Sequence, residues 1–411
     1  QANLLSMLTS DATGGLFAGS SWYAYNLQGA HKLWPNFRVY LIDSDSEDAS
    51  APIYAMQIIN YYGADGNSGQ PEIRWKEQPK LRIRNAAEAL GVSELELLLS
   101  REDGVRPLKP AFGALMSAMD NVGDVMILTR NDQVVHEVTA TFRKFTVAGK
   151  GAMGLAVGDI DVRVFLNHWA HGYLVTENTG KIIRESLQFF SAYGLHKIYK
   201  TDATDSAAWN VLLGNYLDNT LPAPQVTEVP AREPRADAGT IDVAALRKHW
   251  SGLKDVHHFH AMLKRNKVDR LTAIELVGTE WVTRLKATTP EIRSPLDRIL
   301  EQAKSSNCSI MVFVGNPGIV QIYSGTVDNV KRMGPWINVL DKGFNLHANT
   351  DGIKDWFVVR RPSTDGTITS LEGYNADGEI VITLFGNRKP GNPESTHWQG
   401  EIEKLERTLC A

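Results

Sequence analysis

The chain has 411 residues, of which 43% are hydrophobic, and 43 Lys and Arg against 47 Asp and Glu give it a net charge of −4. This composition predicts a globular protein of two or three domains. Its two cysteines, Cys308 and Cys410, are too few for a disulfide framework or a four-thiolate zinc site, which favours a cytoplasmic location. The near-neutral charge argues against a DNA-binding protein. No run approaches the roughly 18 apolar residues that insertion into a membrane requires.

Residues 1–72 differ in charge from the rest of the chain. They hold two basic and seven acidic residues, a net charge of −5, whereas the remainder carries +1. Residues 14–21 have the glycine spacing of a P-loop but lack its lysine, so they give little support to a nucleotide site. One strand is predicted at residues 37–42. We interpret residues 1–72 as an N-terminal extension of unknown role.

The next segment, residues 73–220, has the pattern of an α+β unit. A helix is predicted over residues 81–90, ending at Gly91, and Ser93 with Glu96 forms a capping box that begins a second helix. Alternating apolar runs predict strands at residues 125–128, 134–138, 163–166, 186–190 and 196–199, followed by a helix at 207–216. Four prolines then mark residues 221–239 as a linker.

The same order of elements returns after the linker, in residues 240–411. The pattern predicts a helical region at residues 241–281, strands at 310–314, 319–323, 336–339, 356–359, 367–372 and 379–385, and a helix at 397–409. Residues 126–131 match residues 311–316 at an offset of 185, and residues 186–190 match 370–374 at 184. The sequence therefore predicts an α+β fold made by tandem duplication, each half an antiparallel sheet flanked by helices. Such a fold offers a ligand cleft between its halves.

Three of the chain's 11 histidines, His257, His258 and His260, fall within four positions. The apolar residues around them recur at helical spacing, which predicts one amphipathic helix through Leu246, Trp250, Leu253, Val256, Phe259 and Leu263. His257 and His260 are then on one face, at the edge of the apolar stripe. Neutral imidazoles there are good ligands for iron, copper or zinc, although histidines on helix flanks are also commonly solvated. A zinc site is less favoured, because no companion cysteine or carboxylate has recognisable spacing.

Arginines near the predicted strands are the second candidate feature. Arg163 and Phe165 alternate along one strand, so a cation and an aromatic ring project from the same face. Arg361 and Arg388 lie near the ends of strands in the second half, where guanidinium groups can bind carboxylates in a bidentate manner. The alternative for each is a solvated arginine at the edge of a sheet.

Five segments carry a resemblance to a known family: residues 80–90, 161–169, 255–265, 310–316 and 361–372. In these segments the chain resembles the HemS/PhuS hemin-degrading factor family of bacterial cytoplasmic haem-handling proteins, and the resemblance covers about residues 73–409. It implies that haem b lies in the cleft between the repeats, with His257 as the axial ligand of the iron. It places Arg163 on the opposite haem face with Phe165 nearby, and it assigns Arg270, Arg361 and Arg388 to the haem propionates.

Two features distinguish the chain within that family. Where some relatives have Gln and Tyr in the strand before the last arginine, this chain has Thr383 and Phe385, which removes one amide and one phenol from the expected haem neighbourhood. The three histidines look like the PhuS branch, with His260, or His258, as an alternative axial ligand to His257.

The resemblance implies two functions and leaves the choice between them open. The first is a haem carrier that passes haem to a haem oxygenase as its partner. The second is an enzyme that degrades haem with oxygen and a reductant, with Arg163 as the distal catalytic residue. A third reading, binding of DNA by the haem-free protein, is the least favoured because the chain is nearly neutral.

Overall fold

The computed structural model divides the chain into two compact units, Gln1–Glu102 and Asp103–Ala411. It describes residues 23–25, 33–35, 39–43, 53–57, 83–90, 93–101, 103–178, 180, 182–191, 194–221, 234–288, 293–389 and 391–410. The P-loop-like residues 14–21 and most of the predicted linker therefore lie outside the described residues. No helix within the described ranges is long and apolar enough to cross a membrane.

Within its described residues, the first unit contains two strand pairs and two short helices. Its elements are β1 (Tyr23–Tyr25), β2 (Leu33–Pro35), β3 (Val39–Asp43), β4 (Ile53–Gln57), α1 (Ile83–Leu90) and α2 (Glu94–Leu99). β1 pairs with β2 and β3 with β4, both antiparallel. The capping box is confirmed, because Glu96 N donates to Ser93 Oγ at 3.1 Å and Ser93 N donates to Glu96 Oε2 at 2.7 Å.

The second unit is built from antiparallel strands and seven α-helices in the described ranges. Its strands are β5 (Val105–Pro107), β6 (Gly123–Arg130), β7 (Val134–Thr141), β8 (Thr146–Ala148), β9 (Met153–Ala156), β10 (Asp161–Phe165), β11 (His171–Asn178), β12 (Ile183–Ser191), β13 (Gly194–Thr204), β14 (Val282–Leu285), β15 (Ile310–Asn316), β16 (Ile319–Gly325), β17 (Val330–Met333), β18 (Trp336–Leu340), β19 (Phe344–Asn349), β20 (Ile353–Ser363), β21 (Gly366–Asn375) and β22 (Ile380–Gly386). Its helices are α3 (Phe112–Ala118), α4 (Ser206–Tyr216), α5 (Val243–Ser251), α6 (Phe259–Arg265), α7 (Arg270–Val277), α8 (Pro295–Ser306) and α9 (Thr396–Leu409).

These strands form two nine-stranded sheets that exchange strands between the two halves of the sequence. The first sheet has the order β17-β18-β19-β7-β6-β13-β12-β11-β5, and the second has the order β14-β20-β21-β22-β15-β16-β10-β9-β8. Each sheet therefore takes six strands from one half and three from the other. The predicted antiparallel α+β duplication is confirmed, and the exchange makes each half complete the sheet of the other.

The duplication is visible in single hydrogen bonds between the halves. Asn131 Nδ2 donates to the carbonyl of Gly315 at 3.2 Å, and the matching Asn316 Nδ2 donates to the carbonyl of Arg130 at 3.1 Å. Both amides donate to backbone carbonyls at the ends of strands of the other half. The β6–β7 and β15–β16 hairpins thus contact each other through two equivalent hydrogen bonds, one from each half.

The unit has one large and one smaller apolar core. The large core contains buried residues of both sheets together with α3, α4, α8 and α9. The smaller core packs α5, α6 and α7 onto Phe357, Val359 and Tyr374 of the second sheet. Trp250 Nε1 of α5 donates to the carbonyl of Arg360 at 3.0 Å, which anchors this helical layer to β20.

The prediction of one continuous amphipathic helix through the histidines is wrong. α5 ends before Gly252, and a 3-10 turn, Val256–His258, separates it from α6. The Asp255 side chain caps that turn by accepting from His257 N at 2.8 Å. The helical spacing misled because the apolar residues of three short segments all pack into the same core. Gly252 carried the signal for the end of one helix, and Asp255 carried the signal for the start of the next turn.

Candidate functional site

The turn that carries His257 presents an imidazole to solvent with one ring nitrogen already held. His257 Nδ1 lies 2.7 Å from Asp255 Oδ1, and the His257 side chain is 82% exposed. The backbone and ring contacts of His257 lower the pKa of Asp255, so this carboxylate stays charged. A carboxylate on Nδ1 leaves Nε2 as the free ligand atom and fixes the direction of the ring, as in many metal-binding histidines.

The two neighbouring histidines differ in their surroundings. His258 is exposed where the turn meets α6. His260 is also exposed at its edge, yet partial desolvation and the positive charges of Arg270 and Arg361 lower its pKa, which favours its neutral ring. Within the part of the chain that the structure describes, no group of three His, Cys, Asp or Glu residues could hold a bare metal ion.

The pairing register brings most of the candidate residues onto one face of the second sheet. One row of directly paired residues crosses six strands: Asp161, Ile322, Phe313, Thr383, Glu372 and Phe357. Directly paired residues project from the same face, as do residues two apart on a strand. Arg163, Phe165, Phe385 and Arg361 therefore share this face with Thr383.

Part of that face is covered and part is open. The helices α5, α6 and α7 pack over Phe357, Val359 and Tyr374 at one end. Beyond β21 the side chains of Phe385, Phe313, Met311, Val320, Arg163 and Phe165 are half-buried. Phe313 and Phe385 meet edge to face, with ring centres 5.2 Å apart. We call this half-exposed apolar surface the open face.

A hydrogen bond joins the histidine turn, residues 255–260 and the Lys254 before them, to the covered end of the face. The amide of Thr364, just after β20, donates to the carbonyl of Lys254 at 2.9 Å. Thr383 is nearly buried in β22. Arg388 lies in the loop that follows β22, and its Nη1 donates to Asp365 Oδ2 at 3.1 Å and to the Asn392 carbonyl at 2.8 Å. Arg388 thus has a fixed position at the margin of the face.

Arg163 has a carboxylate partner that the sequence did not identify. Its Nη1 contacts Asp161 on the same strand and the same face, and it lies 3.4 Å from the carbonyl of Ala156. The Arg163 side chain is 33% exposed. Burial raises the pKa of Asp161 although Arg163 opposes the rise. The guanidinium is therefore held at the open face by one of its ends.

The remaining arginines lie in a buried charge cluster, formed by Arg270, Arg361, Ser370, Glu372 and Tyr374. Glu372 Oε1 accepts from Arg270 Nη2 and lies at the same distance, 2.8 Å, from Arg361 Nη1. Burial alone would raise the pKa of Glu372, but the two arginines outweigh it and hold the pKa well below its usual range. Sequence reasoning found the arginines and missed Glu372, whose only signal was an acidic residue inside an apolar strand. The assignment of both arginines to propionates stays a prediction.

Comparison with known proteins gives the family. Residues 91–216 and 267–405 match the family model described as "Haemin-degrading HemS.ChuX domain". The chain is 36% identical over 340 residues to the hemin transport protein HemS of Yersinia enterocolitica, covering 80% of this chain and 94% of HemS. It is also 36% identical over 333 residues to the hemin transport protein HmuS of Yersinia pestis, covering 80% of this chain and 94% of HmuS.

Solved structures agree with the sequence relatives. The holo form of PhuS, a heme-binding protein from Pseudomonas aeruginosa, superposes with a TM-score of 0.76 at 41% identity, covering 80% of this chain and 95% of PhuS. ChuS, described as an E. coli heme oxygenase, gives a TM-score of 0.71 at 34% identity, covering 81% of this chain and 98% of ChuS. The chain therefore belongs to the haemin-degrading HemS/ChuX family.

Proposed function

We propose that the protein binds haem b at the open face, with His257 as the axial ligand of the iron, and traffics it in bacterial haem utilisation. The observation that carries this proposal is the exposed His257 imidazole, whose Nδ1 is held by Asp255 while Nε2 has no hydrogen-bond partner among the described residues. Membership of a family that includes hemin transport proteins supports it.

The open face suits a flat, largely apolar ligand with carboxylates at one edge. It spans four strands, β22, β15, β16 and β10, and neighbouring strands lie about 4.8 Å apart, so its width is about 14 Å. Phe165, Phe313 and Phe385 supply aromatic surface, and Arg388 stands at one margin. Arg163 and Asp161 supply a charged pair on the side that we assign to the distal haem face.

His260 is the alternative axial ligand in this proposal. It follows His257 by three residues, and its lowered pKa favours the neutral ring that iron binds. Two imidazoles close together allow the iron to exchange one for the other as haem moves out. Such an exchange suits delivery better than permanent retention.

The surface around the histidine turn supports delivery to a partner protein. Residues 247–270 contain seven Lys and Arg and two Asp, in a chain whose net charge is −4. Six of the basic residues are exposed: Arg247, Lys248, Lys254, Lys264, Arg265 and Lys267. A surface of this sign attracts an acidic partner and speeds encounter. We propose a haem oxygenase as that partner, and the cytoplasm, where thiols such as the free Cys308 and Cys410 stay reduced, as the location.

The Asp161–Arg163 pair favours a second candidate function, degradation of haem by this protein itself. Bound haem would supply the iron that reacts with oxygen and a reductant. Arg163 would hold a polar ligand on the distal face by charge-assisted hydrogen bonds, and Asp161 would keep the guanidinium in place. The relative ChuS, described as a heme oxygenase, is the reason to test it.

One experiment separates the two functions. The haem complex is mixed with ascorbate and oxygen in the presence of catalase, with and without a bacterial haem oxygenase. Loss of the haem absorbance only when the oxygenase is present supports the carrier. Turnover to an open-chain product and free iron by the protein alone supports the enzyme. A complex that neither transfers nor degrades haem would contradict both.

A further inference from the structure

Phe259 is the buried anchor of an exposed histidine turn. It is 3% exposed, whereas its neighbours His257, His258 and His260 face solvent. Its amide closes the 3-10 turn by donating to the Val256 carbonyl. The position of the Phe259 ring therefore sets where the turn and its histidines lie.

Two guanidinium groups and one indole fix that ring. The central carbon of Arg361 lies 4.1 Å from the ring centre of Phe259, and that of Arg270 lies 5.3 Å away. Trp250 meets Phe259 edge to face, with ring centres 5.1 Å apart. Arginine over an aromatic face is attractive, most strongly where water is excluded, as it is around the nearly buried Arg361.

Glu372 in turn holds both arginines. It is fully buried, and its oxygens accept from Arg270 Nε and Nη2, from Ser370 Oγ and from Tyr374 Oη at 2.6–3.1 Å, while Arg361 Nη1 lies 2.8 Å away. Arg361 Nε and Nη2 have no hydrogen-bond partner in the described part of the chain. Arg361 is thus held by the carboxylate, by Ser370 Oγ, which accepts from its Nη1 at 3.0 Å, and by the rings of Phe259 and Trp250.

We infer that Glu372 is a positioning residue for the histidine turn, which it places by holding Arg361 and Arg270 against Phe259. This inference rests on the proposed haem site, because it assigns Glu372 the task of fixing where the imidazoles of His257 and His260 stand. Glu372 itself is fully buried, and its hydrogen bonds to Arg270 and its ion pair with Arg361 carry this positioning effect.

In the other half of the molecule the matching strand position carries no charge. Gln188 of the first sheet occupies the matching position, in the paired row Tyr173, Gln188 and Lys197 that corresponds to Phe357, Glu372 and Thr383. Gln188 Nε2 donates to Ser186 Oγ at 3.0 Å, just as Glu372 bonds Ser370. The matching position therefore holds the neutral amide of Gln188 in the first half. It holds the carboxylate of Glu372 in the half that carries the histidine turn.

The test compares Glu372→Gln with the double variant Arg361→Met/Glu372→Gln. The double variant removes one positive and one negative charge, so the buried cluster keeps its wild-type net charge and the protein is less prone to unfold. Phe259→Leu removes the ring, and Gln188→Ala is the control at the matching position. Amide hydrogen exchange is measured in the haem-free proteins, and the absorption spectrum and affinity are measured with hemin.

We expect the double variant and Phe259→Leu to raise exchange at residues 255–260 at least tenfold while β21 and β22 stay protected. The hemin spectrum should change and hemin affinity should fall about tenfold, the scale of a lost outer contact to a metal ligand. Gln188→Ala should do neither. A double variant with wild-type exchange in the turn and a wild-type hemin spectrum would overturn the inference. Absence of a hemin complex in the wild type would instead refute the haem site, and the exchange data would still test whether Glu372 orders the turn.

Discussion

The carboxylate of Asp255 makes two contacts with His257, one to its amide at 2.8 Å and one to ring Nδ1 at 2.7 Å. One side chain thereby caps the turn and orients the imidazole. Asparagine is an equally good cap, so Asp255→Asn should preserve the turn. It should remove only the negative charge that the carboxylate places beside the imidazole ring. We expect hemin affinity to fall about 10- to 100-fold, measured by absorbance titration. The matched control is Asp242→Asn, at the cap of α5, which should leave affinity unchanged. Equal losses in both variants would contradict the role of Asp255.

Arg163 should be detectable through the ferric haem complex. A nearby cation favours the deprotonated form of an iron-bound water, so Arg163→Met should raise the pH midpoint of the ferric spectral transition. Arg163→Lys should fall between wild type and Arg163→Met. The haem-free fold should stay intact because the side chain is one-third exposed. A midpoint equal in all three proteins would place Arg163 outside the haem site.

His260 should matter more for transfer than for binding. His260→Ala is expected to keep hemin affinity within about threefold, because His257 stays as ligand, and to slow haem transfer to a haem oxygenase at least tenfold. Stopped-flow absorbance measures the transfer. His258→Ala, which alters the exposed neighbour, serves as control. If His260→Ala transferred haem at the wild-type rate, the exchange of ligands would be refuted.

The buried His136 should make stability depend on pH. Burial lowers the pKa of His136 to about 3, below the 6.5 of an unfolded histidine. The unfolded chain therefore binds the proton more readily, so stability is complete above pH 6.5 and is lost as the pH falls towards 3. From pH 8 to pH 5 the loss from this one residue is about 2 kcal/mol. His196, also buried with a pKa of about 3, adds a similar loss.

A neutral substitute for His136 is given by the other half of the molecule. Gln321 occupies the matching place, and its Nε2 donates to the Ile127 carbonyl at 3.1 Å. His136→Gln should reduce the difference in unfolding free energy between pH 8 and pH 5 by about 2 kcal/mol, measured by urea denaturation. An undiminished difference in His136→Gln would show that His136 does not titrate on unfolding.

Much of the fold followed from local sequence signals. The alternation of residues 125–128 and 134–138 predicted β6 and β7, the match at an offset of 185 predicted the duplication, and Ser93 with Glu96 predicted a helix start. The sequence did not predict that β8, β9 and β10 join the second sheet or that β17, β18 and β19 join the first. Pairing between strands that are distant in sequence leaves no trace in local periodicity.

The sequence suggested candidate residues for the site, and it did not indicate their contacts. Arg163, Phe165 and His257 came from motifs, and the structure places Arg163 and Phe165 on the same face as Thr383 only through the non-local pairing of β10 with β16. Glu372 was missed because a lone acidic residue in a strand gives no sign that two arginines from distant segments will surround it.

The central claim is that His257 binds haem iron, and its most direct test is an absorbance titration of the haem-free protein with hemin, run in parallel on wild type and His257→Ala. We predict a saturable one-to-one complex in the wild type with a sharp Soret band. In His257→Ala this band should shift and the affinity should fall, and His257→Ala/His260→Ala should lose the histidine-ligated spectrum altogether. An unchanged band and affinity in both variants would contradict the account.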